Sequence, residues 1–362
     1  MSFNNRHYVP CLRWKQGEYQ AVEQLSDSVK ELITPLIEIP EMGFDFETRI
    51  HKKTVDEHLE PQAKRIKKKW GTDLCFVDLQ HIFPDQRMND STHPVSYLFS
   101  EMRKEKCSGI PVISLNCDNH YQRAVKQVVR EDGRGICLRI LLEKAAGATL
   151  PHDIEDLLEK LGIKIQECHL ILDYRAPNFV PLDGFSRAIG NIIRKLPNLT
   201  EWQTFTLLGT SFPKSMAEVK GRGELLQRYE WLLYKKLVNS LKDAGLRLPT
   251  FGDYAISYPD IPHLDWRVVK PSASIRYTAN DAWYIIKGKN VRDHKFEQYR
   301  GHCRNLIESS HYSGIAFSEG DNYISDCAAG KVSTGNLTTW RKVGTNHHLE
   351  KLVQDIANLF SP

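Results

Sequence analysis

Three acids pose the chemical question in this sequence: Glu38, Asp78 and Asp173. Each ends a short apolar run, in Pro35-Leu-Ile-Glu38, Leu74-Cys-Phe-Val-Asp78 and His169-Leu-Ile-Leu-Asp173. Carboxylates brought together repel one another unless a cation compensates. A hard divalent ion held by the three would suit hydrolysis of a phosphate ester, with Lys15 or Arg139 stabilising the developing charge. The chain would then be a metal-dependent phosphodiesterase or nuclease, with these acids as its catalytic set. A second reading makes the same region a recognition pocket for a phosphate-bearing ligand such as a nucleotide. An arginine would grip the phosphate, and Tyr254, Tyr277 or Trp340 would stack on the base. A third reading is structural: acids and bases at strand ends salt-bridge one another or cap helices.

The elements that carry these residues share one grammar. Short apolar strands rich in β-branched and aromatic residues alternate with helix-like segments, and eight such units are counted over 1–260. This pattern predicts an α/β fold, a (β/α)8 TIM-like barrel with its chemistry on the C-terminal rim of the strands. Side chains alternate along a strand, so Leu36 and Glu38 share a face, as do Phe76 and Asp78, and Ile171 and Asp173. The lower residue of each pair can pack the barrel while the acid tops it. On that rim the units collect Lys15 and Glu18, Glu38, Asp78, Asn116, Arg139, Asp173 with Arg175, Ser211, and Asp253 with Tyr254.

Helices are expected over 18–32, 54–70, 94–105, 121–131, 151–161 and 224–244. Thr54 and Glu57 make a capping box, and Gly162 ends the helix at 151–161. Strand eight is expected over 250–257. Beyond 260 the sequence predicts a hairpin over 273–278 and 282–288, a helix over 294–309, a Gly-rich loop, and a terminal helix from about 346 to 360. These are expected to close the barrel and cover its mouth, making 1–362 one domain. Asn346 is expected to cap the terminal helix, with His347 facing the rim. Adjacent histidines on a helix point about 100° apart, so His347 and His348 are a poor pair for one metal ion. Arg341, after a Gly-containing loop, is expected to reach over the mouth.

Composition narrows the classes. Hydrophobic residues make up 41% and charged residues 26% of 362, ordinary values for a globular protein with a large core. The net charge of +4 is too mild to imply nucleic acid, and the basic run Lys64-Arg-Ile-Lys-Lys-Lys69 reads first as a solvated helix face. The eight cysteines form no Cys-x-x-Cys pair, and several lie in or beside strands, as core cysteines of a reducing compartment do. The opening residues lack the apolar run of a signal peptide, and no apolar stretch is long enough to span a bilayer, so a cytoplasmic protein is expected. Gly209-Thr-Ser-Phe-Pro213 lacks the Gly-Lys-Ser/Thr ending of a phosphate loop. There is no Gly-x-Ser-x-Gly elbow of a serine hydrolase.

A set of short motifs runs from the first strand to the last helix. They are Tyr8-Val-Pro10, Trp14-Lys-Gln-Gly-Glu18, Pro35-Leu-Ile-Glu38, Gly209-Thr-Ser-Phe-Pro213 and Phe251-Gly-Asp-Tyr254. Arg276-Tyr-Thr278, Phe317-Ser-Glu-Gly-Asp321 and Trp340-Arg-Lys-Val-Gly-Thr-Asn-His-His348 continue the series. In order and spacing they resemble the beta protein family of satellite phages and prophages. The resemblance implies a place in anti-phage defence, beside a toxic partner, Gop, and a small regulator, cII. It carries no catalytic residue across. The preferred expectation is a barrel whose rim binds a phosphate-bearing ligand or phage-derived trigger and which acts with, or restrains, the toxic partner. The ligand-binding candidates are Lys15, Glu18, Arg139, Arg175, Ser211, Asp253, Tyr254, Arg276, Tyr277, Arg341 and His347. The phosphodiesterase with a divalent cation and the non-catalytic scaffold stand as alternatives.

Overall fold

The computed structural model describes residues 3–219, 223–260 and 269–361. Eight parallel strands close into a barrel in sequence order: β1 (Tyr8–Leu12), β2 (Leu36–Glu38), β3 (Leu74–Asp78), β4 (Ser108–Ile113), β5 (Ile136–Leu141), β6 (Cys168–Arg175), β7 (Thr204–Gly209) and β8 (Thr250–Asp253). β8 pairs with β1, from Tyr8 opposite Phe251 to Pro10 opposite Asp253. The predicted alternation holds. Val9, Cys11, Leu36, Phe76, Ile110, Val112, Cys137, Ile171, Leu208 and Tyr254 fill the lumen as one cluster. Their strand neighbours, among them Leu12, Ile37, Val77, Leu138, Leu170 and Leu207, face outward into the larger core under the helices. Gly252 is the small lumen residue of β8, since a Cβ there would meet the Val9 carbonyl oxygen at 2.9 Å. At the N-terminal end Phe3 lies over Phe76 and His169, with ring centroids 6.3 Å from each.

The outer helices are α1 (Gln16–Glu23), α2 (Gln62–Lys69), α3 (Pro94–Lys104), α4 (Asn119–Asp132), α5 (Leu150–Leu161), α6 (Leu182–Lys195), α7 (Tyr229–Asp243) and α8 (Leu337–Leu359). Gly162 ends α5 in the left-handed region at φ 73°, and the Thr54–Glu57 capping box is present. Other boundaries move for identifiable reasons. The segment 54–70 divides into Val55–Leu59 and α2 at Pro61, which lacks an N–H to continue the ladder. The segment 18–32 divides at Ser26 into α1 and Asp27–Lys30. Strand eight stops at Asp253 rather than 257. The helix expected over 224–244 begins only at Tyr229. Glu224–Gln227 instead pairs antiparallel with Ala282–Asn290 and joins the hairpin Ser272–Ala279/Ala282–Asn290 as a third strand.

The loop expected after 309 contains the helix Glu319–Ala329. α8 starts at Leu337, well ahead of the expected start near 346. Its N-cap is therefore Asn336, whose Oδ1 accepts the Thr339 N–H at 3.0 Å, and not Asn346. Asn346 lies inside α8 because its side chain is satisfied there. It accepts the Gly320 N–H at 2.8 Å and donates to the Ala21 carbonyl at 3.1 Å.

α8 serves two cores. Trp340 and Val343 pack with Ile275, Tyr277, Tyr299, Cys303 and Cys327 beneath the three-stranded sheet. Leu349, Leu352, Val353 and Ile356 belong to the main core around the barrel. Among the described residues no helix is long and apolar enough to cross a membrane. Deleting residues 337–362 is expected to abolish the cooperative thermal transition followed by circular dichroism. A deleted chain that still melts cooperatively near the parent temperature contradicts this account of α8.

Candidate functional site

The strand parity that fills the lumen places Glu38, Asp78, Arg139 and Asp173 in one layer above it, which the hydroxyl of the lumen residue Tyr254 reaches. The Arg139 guanidinium lies at their centre. Its Nη1 donates to Glu38 Oε1 and Asp78 Oδ2, both at 2.8 Å, and its Nε donates to Asp173 Oδ2 at 2.9 Å. Its Nη2 lies 2.8 Å from Asp173 Oδ2 and donates to the Tyr254 hydroxyl at 2.8 Å. Four of the five N–H groups of the arginine donate hydrogen bonds here, and Nη2 also stands in ion-pair contact with Asp173. The Tyr254 hydroxyl in turn donates to Asp173 Oδ2 at 2.6 Å. The three sequence-predicted acids therefore do converge, and the point they converge on is a side chain of the protein.

The outer oxygens are also engaged. Asp78 Oδ1 accepts the Gln80 N–H at 2.9 Å, and Asp173 Oδ1 accepts the Arg175 N–H at 2.8 Å. Glu38 receives Gln80 Nε2 at 2.7 Å, with His81 Nε2 at 3.3 Å and Arg13 Nε at 3.4 Å. Burial alone would raise the Glu38 carboxyl, but Arg139 and His81 outweigh it and hold the group below the usual range. Burial dominates at Asp78, which stays raised despite Arg139. Among the described residues, no group of three or more His, Cys, Asp or Glu side chains has the arrangement of a metal site.

A second group of charges lies where α8 crosses the loops after β1 and β8. Arg341 Nη1 donates to the Ile256 carbonyl at 2.8 Å and to the Ser257 hydroxyl at 2.9 Å. Arg276 Nη1 donates to the same Ile256 carbonyl at 3.1 Å, so the two guanidinium groups are close neighbours. Ser257 Oγ donates to Glu18 Oε1 at 3.2 Å, while Glu18 Oε2 is buried without a hydrogen-bond partner. Burial pushes the Glu18 carboxyl up, and burial pushes both arginines down, Arg276 further through the charge of Arg341. Gly17 makes room for this arrangement, because a Cβ there would fall 2.6 Å from Arg341 Cγ.

The other candidates are dispersed. Lys15 pairs with Glu41 at 2.8 Å, and Arg175 pairs with Asp260. Asp253 faces away from the lumen and accepts from the Tyr8 hydroxyl at 2.6 Å, with His348 Nε2 at 2.9 Å. His347 does not face the rim. It is fully buried beneath the sheet, between Asp321 and the Thr278 carbonyl, each 2.8 Å away, and stacks on Tyr277. Tyr277 donates to Asp321 at 2.6 Å in the same layer. Ser211 donates to Glu230 at 2.7 Å, beside the buried Arg228. Arg13 was absent from the sequence candidates, although it continues the lumen parity of Val9 and Cys11.

A family model described as Beta protein matches residues 8–354. No curated protein matches the sequence. Among solved structures, triosephosphate isomerase from Bartonella henselae aligns with 69% of this chain and 93% of its own, at 11% identity and a TM-score of 0.34.

Two measurements test the electrostatics. Arg139→Met leaves three buried carboxylates without their central cation and is expected to lower stability by about 3–5 kcal/mol in urea at pH 7. A loss under about 1 kcal/mol contradicts the central role of Arg139. Glu230 gives the pH dependence. Burial pushes its carboxyl from 4.5 up to about 7, so the folded chain holds this proton more tightly than the unfolded one. Its contribution to stability therefore falls as the pH rises through that interval and is constant above it. Glu230→Gln is expected to gain on the parent between pH 5 and pH 8, whereas parallel pH profiles contradict the assignment.

Proposed function

This chain belongs to the Beta protein family, and we propose that it is the ligand-binding barrel of a cytoplasmic anti-phage defence module. In this reading the mouth beside β1 and β8 binds a phosphate-bearing ligand or phage-derived trigger. Occupancy changes how the barrel acts with, or restrains, a toxic partner, and a small regulator belongs to the same module. The observation that carries the ligand reading is the convergence of Arg276 and Arg341 on one carbonyl. Among the described residues neither arginine has a carboxylate within ion-pair distance. Two adjacent guanidinium groups repel one another, with Glu18 the acid acting on both, and an oxyanion accepting from their remaining N–H groups relieves that repulsion. Arg139 commits four of its five N–H groups to the buried network. Glu38, Asp78 and Asp173 accordingly hold the mouth together rather than act on the ligand.

The test pairs a binding measurement with a cellular one. Inorganic phosphate is expected to raise the melting temperature of the parent and not that of an Arg276→Gln, Arg341→Gln double variant. The variant without phosphate is expected to melt somewhat lower, because the hydrogen bonds to Ile256 and Ser257 are lost, so the shift produced by phosphate is the quantity compared. In cells carrying the whole module, the same variant should lose protection in phage plating while its abundance is unchanged. Equal phosphate stabilisation of parent and variant contradicts the site, and undiminished protection contradicts its role in defence.

A further inference from the structure

The opposite sector of the rim holds a cleft of about 350 Å3 between the ends of β3, β4 and β5. Its size falls at the lower end of small-molecule sites, roughly 300–1,000 Å3. Leu79, Ile82, Ile113, Leu115 and Leu141 give it apolar walls. Tyr121 adds an aromatic ring, fixed by a hydrogen bond from its hydroxyl to the Val112 carbonyl at 2.9 Å. Asp78 and Arg139 lie at the inner end, and the exposed Lys144 lines the cleft on the short helix Leu142–Ala145.

The polar groups have an order. Four of the five Arg139 N–H groups are hydrogen-bonded in the central network, and Nη2 is held beside Asp173. Each Asp78 oxygen accepts one hydrogen bond and retains a further lone pair. The inner end therefore accepts hydrogen bonds. Lys144 has no ion pair among the described residues and can receive an anion, while Asp118, the acid on the same lining, is turned to the His120 and Tyr121 N–H groups at the start of α4. Apolar walls, an aromatic ring, an acceptor inside and a cation outside describe one ligand chemistry.

We propose that this cleft binds a mononucleotide, with the base inward on Asp78 and the phosphate outward at Lys144. A guanine edge, with two adjacent N–H groups, matches a carboxylate acceptor. Adenine places a ring nitrogen acceptor against the same oxygens and is disfavoured. The site is separate from the Arg276–Arg341 pair.

The experiment is calorimetric titration of the full chain with GMP, AMP, guanosine and inorganic phosphate. GMP is expected to bind, guanosine several-fold more weakly, and AMP at least tenfold more weakly. Leu115→Trp, which fills the cleft from a loop, is expected to abolish GMP binding while retaining the parent melting temperature and the phosphate effect of the arginine pair. Lys144→Ala should bring GMP down to the affinity of guanosine. Absence of GMP binding at millimolar concentration overturns the proposal, as does GMP binding that survives Leu115→Trp. Loss of the phosphate effect in the arginine double variant with GMP binding intact would support this site independently of the other.

Discussion

A buried guanidinium organises the mouth of this barrel. Arg139 from β5 meets acids from β2, β3 and β6, strands that are not all adjacent, so its hydrogen bonds tie the strand ends across the lumen. A charge removed from water is tolerated only when its partners satisfy it, and each partner here would be destabilising without the others. Strand parity makes this layer possible, because the residues two positions below the acids and the arginine are the apolar lumen cluster. The same network commits most of the Arg139 donors to the strand ends.

The C-terminal layer depends on a comparable division of labour within α8. His347 and His348 are sequence neighbours whose helical positions direct them to different partners. His348 reaches Asp253 at the end of β8, and His347 reaches Asp321 beneath the sheet. One helix thus fixes the sheet and the barrel with adjacent side chains. Gly344 allows the close approach this requires, since a Cβ there would lie 2.8 Å from the Arg276 carbonyl oxygen.

The barrel was legible because its signal is local: apolar strands with period two, helices between them, and acids in register with lumen residues. Leu36–Glu38 and Phe76–Asp78 announce their faces within a few residues. The same parity put Arg139 on the rim with those acids, but its place at their common centre was not legible, since Arg139 is joined to Glu38 only by closure of the barrel. Arg13 could have been found from its parity with Cys11. The third strand at Glu224–Gln227 could not, because its pairing is supplied by a hairpin far along the chain. Asn346 misled for a related reason: its cap-like chemistry is answered by α1 and by Gly320, both distant in sequence.

Side-chain nitrogen NMR of Arg139, assigned with Arg139→Lys, tests the central claim most directly. The account predicts separate, slowly exchanging Nη1 and Nη2 signals that manganese ions do not broaden, because the guanidinium already occupies the point where the acids meet. Rapidly averaged signals, or selective broadening by manganese, would contradict it and return Glu38, Asp78 and Asp173 to the role of metal ligands.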